Sequence, residues 1–180
     1  MNGSCTRRNF LIKSSATATA FLGGVMSQSL AAKQHKKMRF TLGLSQYSLR
    51  ALLKDGSLDP LDFPKFTVDQ FGIQAIDLWE GGLPKDKLDD PKYLAMMRKK
   101  ADQAGTDLFL LMSGALDASA KKREASSAKI SASFERAVQL GAPMVRVFLK
   151  APGTDSKIGL QASVEALKPL ADEAAEKNLT

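Results

Sequence analysis

Hydrophobic and polar positions along this chain fall into one recurring phrase: an amphipathic run, a stop residue, a short turn and a compact apolar run. Phe134–Leu140 stops at Gly141 and leads into Met144–Leu149. Asp69-Gln70-Phe71 stops at Gly72 and leads into Ile73–Trp79. Asp102-Gln103-Ala104 stops at Gly105 and leads into Asp107–Met112. A fourth phrase begins at Glu176 and stops at Asn178, the second choice after glycine for a left-handed helix end. Period-3.6 runs predict helices from Asp59-Pro60 to Gly72, over Lys92–Ala104 after Pro91, over Ala125–Leu140 and over Leu160–Lys177. Tyr93, Met96, Met97 and Ala101 form one expected buried stripe, and Ile130, Phe134, Ala137 and Val138 another. Pro169 is expected to kink or split the last helix. The first strand is expected over Arg39–Leu44, with Leu42 and Leu44 on one face. The segment Leu49–Asp62 holds a short helix at most, with a turn at Asp55-Gly56. Asp107–Met112 is almost unbroken apolar sequence, which fits a strand covered on both faces.

The stops at Gly72, Gly105, Gly141 and Asn178 are 33, 36 and 37 residues apart. A solenoid has such a period, but its repeats share side-chain signatures beyond a helix stop. Strand–helix units at this spacing predict an α/β fold with a parallel sheet of the TIM-barrel (β/α) type, a fold of about 31 residues per unit. About four βα units are present, so the expectation is an incomplete barrel. Four units leave strands one and four as open edges that invite self-association. The reading favoured here is the N-terminal half of a longer protein, over residues 40–180.

Of the 180 residues 44% are hydrophobic, enough for one domain with a real core. Arg7, Arg8, Lys13, Lys33, Lys36, Lys37 and Arg39 account for the net charge of +7. Residues 40–180 carry 19 basic and 19 acidic side chains, so the body has no basic surplus to bind nucleic acid. Residues 33–39 read as a basic tether containing the only histidine, His35, to which no role is assigned. Thr6-Arg7-Arg8-Asn9-Phe10-Leu11-Ile12-Lys13 resembles the twin-arginine export motif of bacteria. A weakly apolar run and the small-residue pattern Ser29-Leu30-Ala31-Ala32 follow it. Residues 1–32 are therefore expected to be a signal peptide and the mature protein to be periplasmic. Ser, Thr and Gln interrupt the run too often for a stable membrane anchor. Cys5, the only cysteine, would leave with the leader, excluding disulfides and cysteine chemistry from the mature chain.

Five stretches carry a family resemblance. They are Leu44-Ser45-Gln46-Tyr47-Ser48-Leu49, Leu58-Asp59-Pro60-Leu61-Asp62-Phe63-Pro64, Phe71-Gly72-Ile73-Gln74-Ala75-Ile76-Asp77-Leu78, Ala137–Gly141 with Val145-Arg146-Val147, and Ala166–Ala171. In order and spacing they resemble the sugar phosphate isomerase/epimerase proteins with a xylose isomerase-like barrel. The resemblance implies a divalent metal at the C-terminal mouth, holding the oxygens of a sugar or related polyol. Acidic side chains would then move a proton between neighbouring carbons. In that family the ligands, Glu, Asp, His and Glu, come mostly from strands five to eight. None maps onto this sequence, so no metal ligand is assigned and the chain alone is expected to be catalytically incomplete. A phosphodiester-cleaving branch of the superfamily needs several histidines, which His35 alone does not supply. The alternative function is a non-catalytic, exported sugar-binding or interaction protein.

Active sites of this fold lie at strand C-terminal ends. That makes Ser45, Gln46, Tyr47, Trp79, Glu80, Ser113 and Lys150 the mouth candidates. Alternation turns Val145, Val147 and Leu149 to the helices and Met144, Arg146, Phe148 and Lys150 inward; on strand two, Ile76 and Leu78 face helices and Ala75, Asp77 and Trp79 face inward. Asp77 and Arg146 read as a buried structural pair or part of a polar layer. Trp79 either stacks on a sugar ring or fills the barrel. Glu80, beside Gly81-Gly82, is the catalytic candidate, against a solvated loop carboxylate. Lys150 either meets a substrate phosphate or points to water. Tyr47, Trp79, Glu80 and Lys150 are thus the candidate substrate-binding residues.

Overall fold

The computed structural model describes residues 40–153 and 155–180. The signal peptide expected over 1–32 and the tether expected over 33–39 lie outside them. Four parallel strands, β1 (Gly43–Ser45), β2 (Ala75–Trp79), β3 (Asp107–Asp117) and β4 (Met144–Lys150), form one sheet in sequence order. Helices α1 (Arg50–Lys54), α2 (Phe63–Phe71), α3 (Pro91–Ala104), α4 (Arg123–Leu140) and α5 (Ser156–Glu176) alternate with them. The expected α/β fold of parallel βα units is therefore present.

Local chemistry sets the helix ends. Asp90 caps α3 by accepting from Lys92 N at 2.9 Å, with Pro91 in the first turn. Asp155 caps α5 through Lys157 N and Ile158 N. Gly141 ends α4 at φ 75°, and Asn178 takes the same left-handed conformation at φ 56° after α5.

One face of the sheet packs on helices. Ile76, Leu78, Leu108 and Leu111 meet Phe63, Leu94, Met97 and Leu140 in the larger core, and Leu116 meets Ile130, Phe134, Ala166 and Leu170 in the smaller. Val145 and Val147 pack against the smaller core, as alternation predicts, but Leu149 is exposed. On the opposite face Arg146 and Phe148 are exposed. The expectation that β3 is covered on both faces holds only in part: Met112 is buried, but Phe109 and Leu110 are only half-buried.

Four further expectations change. Met96 and Val138 are each 45% exposed, since the buried stripes run one position aside, through Tyr93, Leu94, Met97 and Ala101 and through Ile130, Ser133, Phe134 and Ala137. Ser133 is buried because its hydroxyl donates to Lys129 O at 3.1 Å within the helix. Pro169 does not split α5. It lies on the exposed side, where the carbonyl that loses its donor can be hydrated. β1 is only three residues long, and Leu42 before it is exposed. Ser113-Gly114 is a bulge and not a strand end. Ser113 Oγ donates to Arg146 O at 3.0 Å, and pairing resumes at Ala115↔Phe148, so β3 runs on to Asp117.

Beyond β4 the sheet continues by one residue. Thr180 N donates to Pro143 O and Val145 N donates to Thr180 O, each at 2.9 Å. Two such bonds flanking Met144 are the parallel-ladder pattern.

Candidate functional site

The C-terminal ends of β1 and β2 bring five side chains together. β1 ends at Ser45, and the chain tightens into a 3₁₀ turn over Gln46–Leu49. Ser45 Oγ donates to Asp77 Oδ1 at 2.9 Å, and Gln46 N donates to the same oxygen at 3.3 Å. Gln46 is fully buried, and its Oε1 accepts from Trp79 N at 2.9 Å. Its Nε2 is buried without a partner. Tyr47 meets Trp79 edge-to-face, with ring centroids 4.9 Å apart at 86°. The Arg50 guanidinium lies 4.7 Å above the Tyr47 ring. Burial pushes the Asp77 carboxyl above its ordinary value, partly offset by the bonds from Ser45 and Gln46 and by the charge of Arg146.

Of the two readings of Asp77 and Arg146, a buried structural pair or part of a polar layer, the direct pair is not formed. Asp77 turns to β1, and Arg146 lies 4.3 Å over the Phe148 ring with its Nη1 3.9 Å from Met112 Sδ. Glu80 is tied to the helix layer: its Oε1 accepts from Arg136 Nη1 at 2.8 Å, and Arg136 Nε donates to Asp89 at 2.8 Å. Lys150 is 67% exposed on its side chain and stands 3.6 Å from the Asp117 carboxylate. Ser119 donates to that carboxylate through Oγ and N, which holds it below its ordinary value. Ser113 is committed to the bulge. The structure thus gathers Ser45, Gln46, Tyr47 and Trp79, with Asp77, and places Glu80, Ser113 and Lys150 in separate contacts.

Sequence pattern alone does not single out Arg50 or Arg136. Arg50 follows Tyr47 by three, a spacing that puts both on one side of a helical turn, so a signal existed. Arg136 lies 56 residues from Glu80, and no local pattern links them.

The glycines after Trp79 have a packing reason. A Cβ on Gly81 would lie 2.4 Å from Trp79 Cζ2, and one on Gly82 would lie 3.1 Å from Trp79 Cε3 and from Gln46 Oε1. The indole folds back over this backbone and lines a cavity of about 300 Å³ with Leu53, Lys54, Pro60, Leu83 and Pro84. Gly81→Ala is expected to displace the indole and destabilise the domain by about 1–3 kcal/mol in urea unfolding. Gly114→Ala, where a Cβ meets nothing within 4 Å, is the control, with a change of roughly 0.5 kcal/mol or less.

Among the described residues no three His, Cys, Asp or Glu side chains come together to hold a metal ion. The mouth carboxylates do not fit such a site: Asp77 is turned to Ser45, and Glu80 to Arg136. No described helix is long and apolar enough to cross a membrane.

No family model matches the chain, and no curated protein matches it. Solved structures do. The probable 3-DHS dehydratase AsbF of petrobactin synthesis from Bacillus anthracis superposes with a TM-score of 0.63 at 18% identity, over 78% of this chain and 50% of that one. A D-psicose 3-epimerase determined in the presence of D-fructose gives 0.57 at 17% identity, over 78% and 50%. A sugar phosphate isomerase/epimerase from Parabacteroides distasonis gives 0.56 at 14%, over 77% and 49%. The chain spans about half the length of each. At these identities the likeness concerns the fold: four parallel βα units that match part of a xylose isomerase-like TIM barrel.

Proposed function

We propose that this chain forms the β1–β4 side of a sugar-binding barrel mouth of the isomerase/epimerase kind. The observation that supports this most is the edge-to-face pair of Tyr47 and Trp79 at the ends of adjacent parallel strands, with Arg50 over Tyr47. An aromatic surface takes the apolar C–H face of a sugar, and a guanidinium beside it takes hydroxyl or anionic oxygens. Moving a proton between neighbouring sugar carbons needs a free acid–base group. Asp77 and Glu80 are both engaged in other contacts, so no proton-transfer step is assigned to either. The divalent ion implied by the family resemblance finds no donor set among the described residues, and no step is assigned through it. These commitments favour binding and orientation as the role of these residues. That role is common to the isomerase reading and to the non-catalytic sugar-binding alternative. Export by the twin-arginine route, suggested by Thr6–Lys13, belongs to the same proposal.

Titration with D-fructose, followed by the emission of Trp79, tests the proposal. A saturable change is expected, and Tyr47→Ala is expected to weaken it about fivefold, from the loss of roughly 1 kcal/mol of aromatic contact. A response that grows linearly without saturating, or equal affinity in Tyr47→Ala, would sink it.

A further inference from the structure

We propose that Asp77 is a positioning residue: through Ser45 and Gln46 it sets the place of the Tyr47–Trp79 aromatic pair. The contacts form a closed circuit. Asp77 Oδ1 accepts from Ser45 Oγ at 2.9 Å and from Gln46 N at 3.3 Å, which fixes the chain where β1 passes into its turn. Gln46 Oε1 then accepts from Trp79 N at 2.9 Å, two residues beyond Asp77. Tyr47, the next residue after Gln46, closes the circuit against the Trp79 ring.

Two features make the seat of Gln46 depend on this circuit. Gln46 has no exposure, so water does not replace its bond to Trp79. Its Nε2 has no partner, so the amide is held on one side only, by the bond that Oε1 accepts. Hydrogen bonds to a carboxylate are roughly twice as strong as neutral ones. Protonation of Asp77 would therefore slacken the anchor at residues 45–46 and, through Gln46, the seat of the indole.

The groups facing Asp77 from the surrounding elements are few. β1 and its turn contribute Ser45 and the Gln46 amide, and the uncharged Leu110 stands opposite on β3. From β4 the charge that acts on it is that of Arg146. Burial outweighs all three favourable influences, so the carboxyl takes up its proton above the ordinary value of 3.8.

Trp79 is the only tryptophan in the chain, so indole emission reads the circuit directly and needs no sugar. The full chain is titrated from pH 7 to pH 3.8 with emission and far-UV circular dichroism recorded together. In the wild type we expect a step in emission at constant circular dichroism. Ser45→Ala removes a bond that favours the charged form, so its step moves to higher pH. Asp77→Asn keeps an acceptor oxygen but cannot titrate, and its step is lost.

Linkage gives a second readout. Between 3.8 and its folded value Asp77 binds more protons in the native than in the unfolded chain. Its contribution to stability is therefore present below 3.8 and is lost as pH rises through the folded value. The urea stability of the wild type relative to Asp77→Asn should rise as pH falls through that window. A flat wild-type emission curve, an unmoved midpoint in Ser45→Ala, or an equal step in Asp77→Asn would each overturn the proposal. A failed D-fructose titration would leave it standing.

Discussion

Arg136→Met destabilises the domain by about 2–4 kcal/mol, the largest expected loss from a charged residue of this chain. Arg136 lies near the end of α4 with only 11% of its side chain exposed. It holds Glu80, 14% exposed, at 2.8 Å, and Asp89 at 2.8 Å. The second partner is 75% exposed and adds little. The first matters because removing the guanidinium leaves a nearly buried carboxylate with no cation. A fully buried pair broken on one side loses about 3–5 kcal/mol, and the residual exposure here lowers that somewhat. Urea unfolding measures the loss. The double variant Arg136→Met/Glu80→Gln should recover most of it, because no uncompensated charge then remains. If the double variant is as unstable as the single one, Arg136 acts through packing of its aliphatic stem and not through Glu80.

Leu111→Ala is expected to lose about 3 kcal/mol, within the 2–5 kcal/mol range for a buried leucine truncated to alanine. Leu111 has no exposure and lies at the middle of β3, in register with Leu78 on one side and Val145 on the other. Its neighbours in the core include Leu94, Met97 and Ala137 of two helices. A void there is walled by both sheet and helix, which limits collapse. Leu110, one residue earlier, is only half-buried on the open face. Leu110→Ala should lose roughly 1 kcal/mol, about the transfer term without a large cavity. Equal losses at the two positions would mean that the open face is covered in solution.

That pair of leucines also shows where the sequence stops being informative. In Asp107-Leu108-Phe109-Leu110-Leu111-Met112 nearly every position is apolar, so alternation does not say which leucine faces the helices. β2 is different. Ile76 and Leu78 flank a carboxylate, and they are buried among helices as the pattern predicts. Glu80 shows the same limit at the mouth. A carboxylate at a strand end beside two glycines reads as chemistry, yet the glycines make room for the indole and the carboxylate meets Arg136. Tyr47 and Trp79, in contrast, are both at strand ends by sequence, and the structure places them in contact.

The sequence by itself determined the elements and their order. Helix stops at Gly72, Gly105, Gly141 and Asn178, acid caps and period-3.6 stripes are local, set by backbone sterics and by neighbours within a turn. Four such units in series leave a parallel α/β sheet as the economical way to bury the apolar runs. Only the tertiary structure decided which side chains meet. Ser45 finds Asp77 across 32 residues, Trp79 finds Gln46 across 33, and Arg136 finds Glu80 across 56. These contacts depend on strand register, on the bulges in β3 and on the seat of α4 over the sheet. Each arises from packing between elements distant in the chain, and short-range sequence patterns carry no record of it.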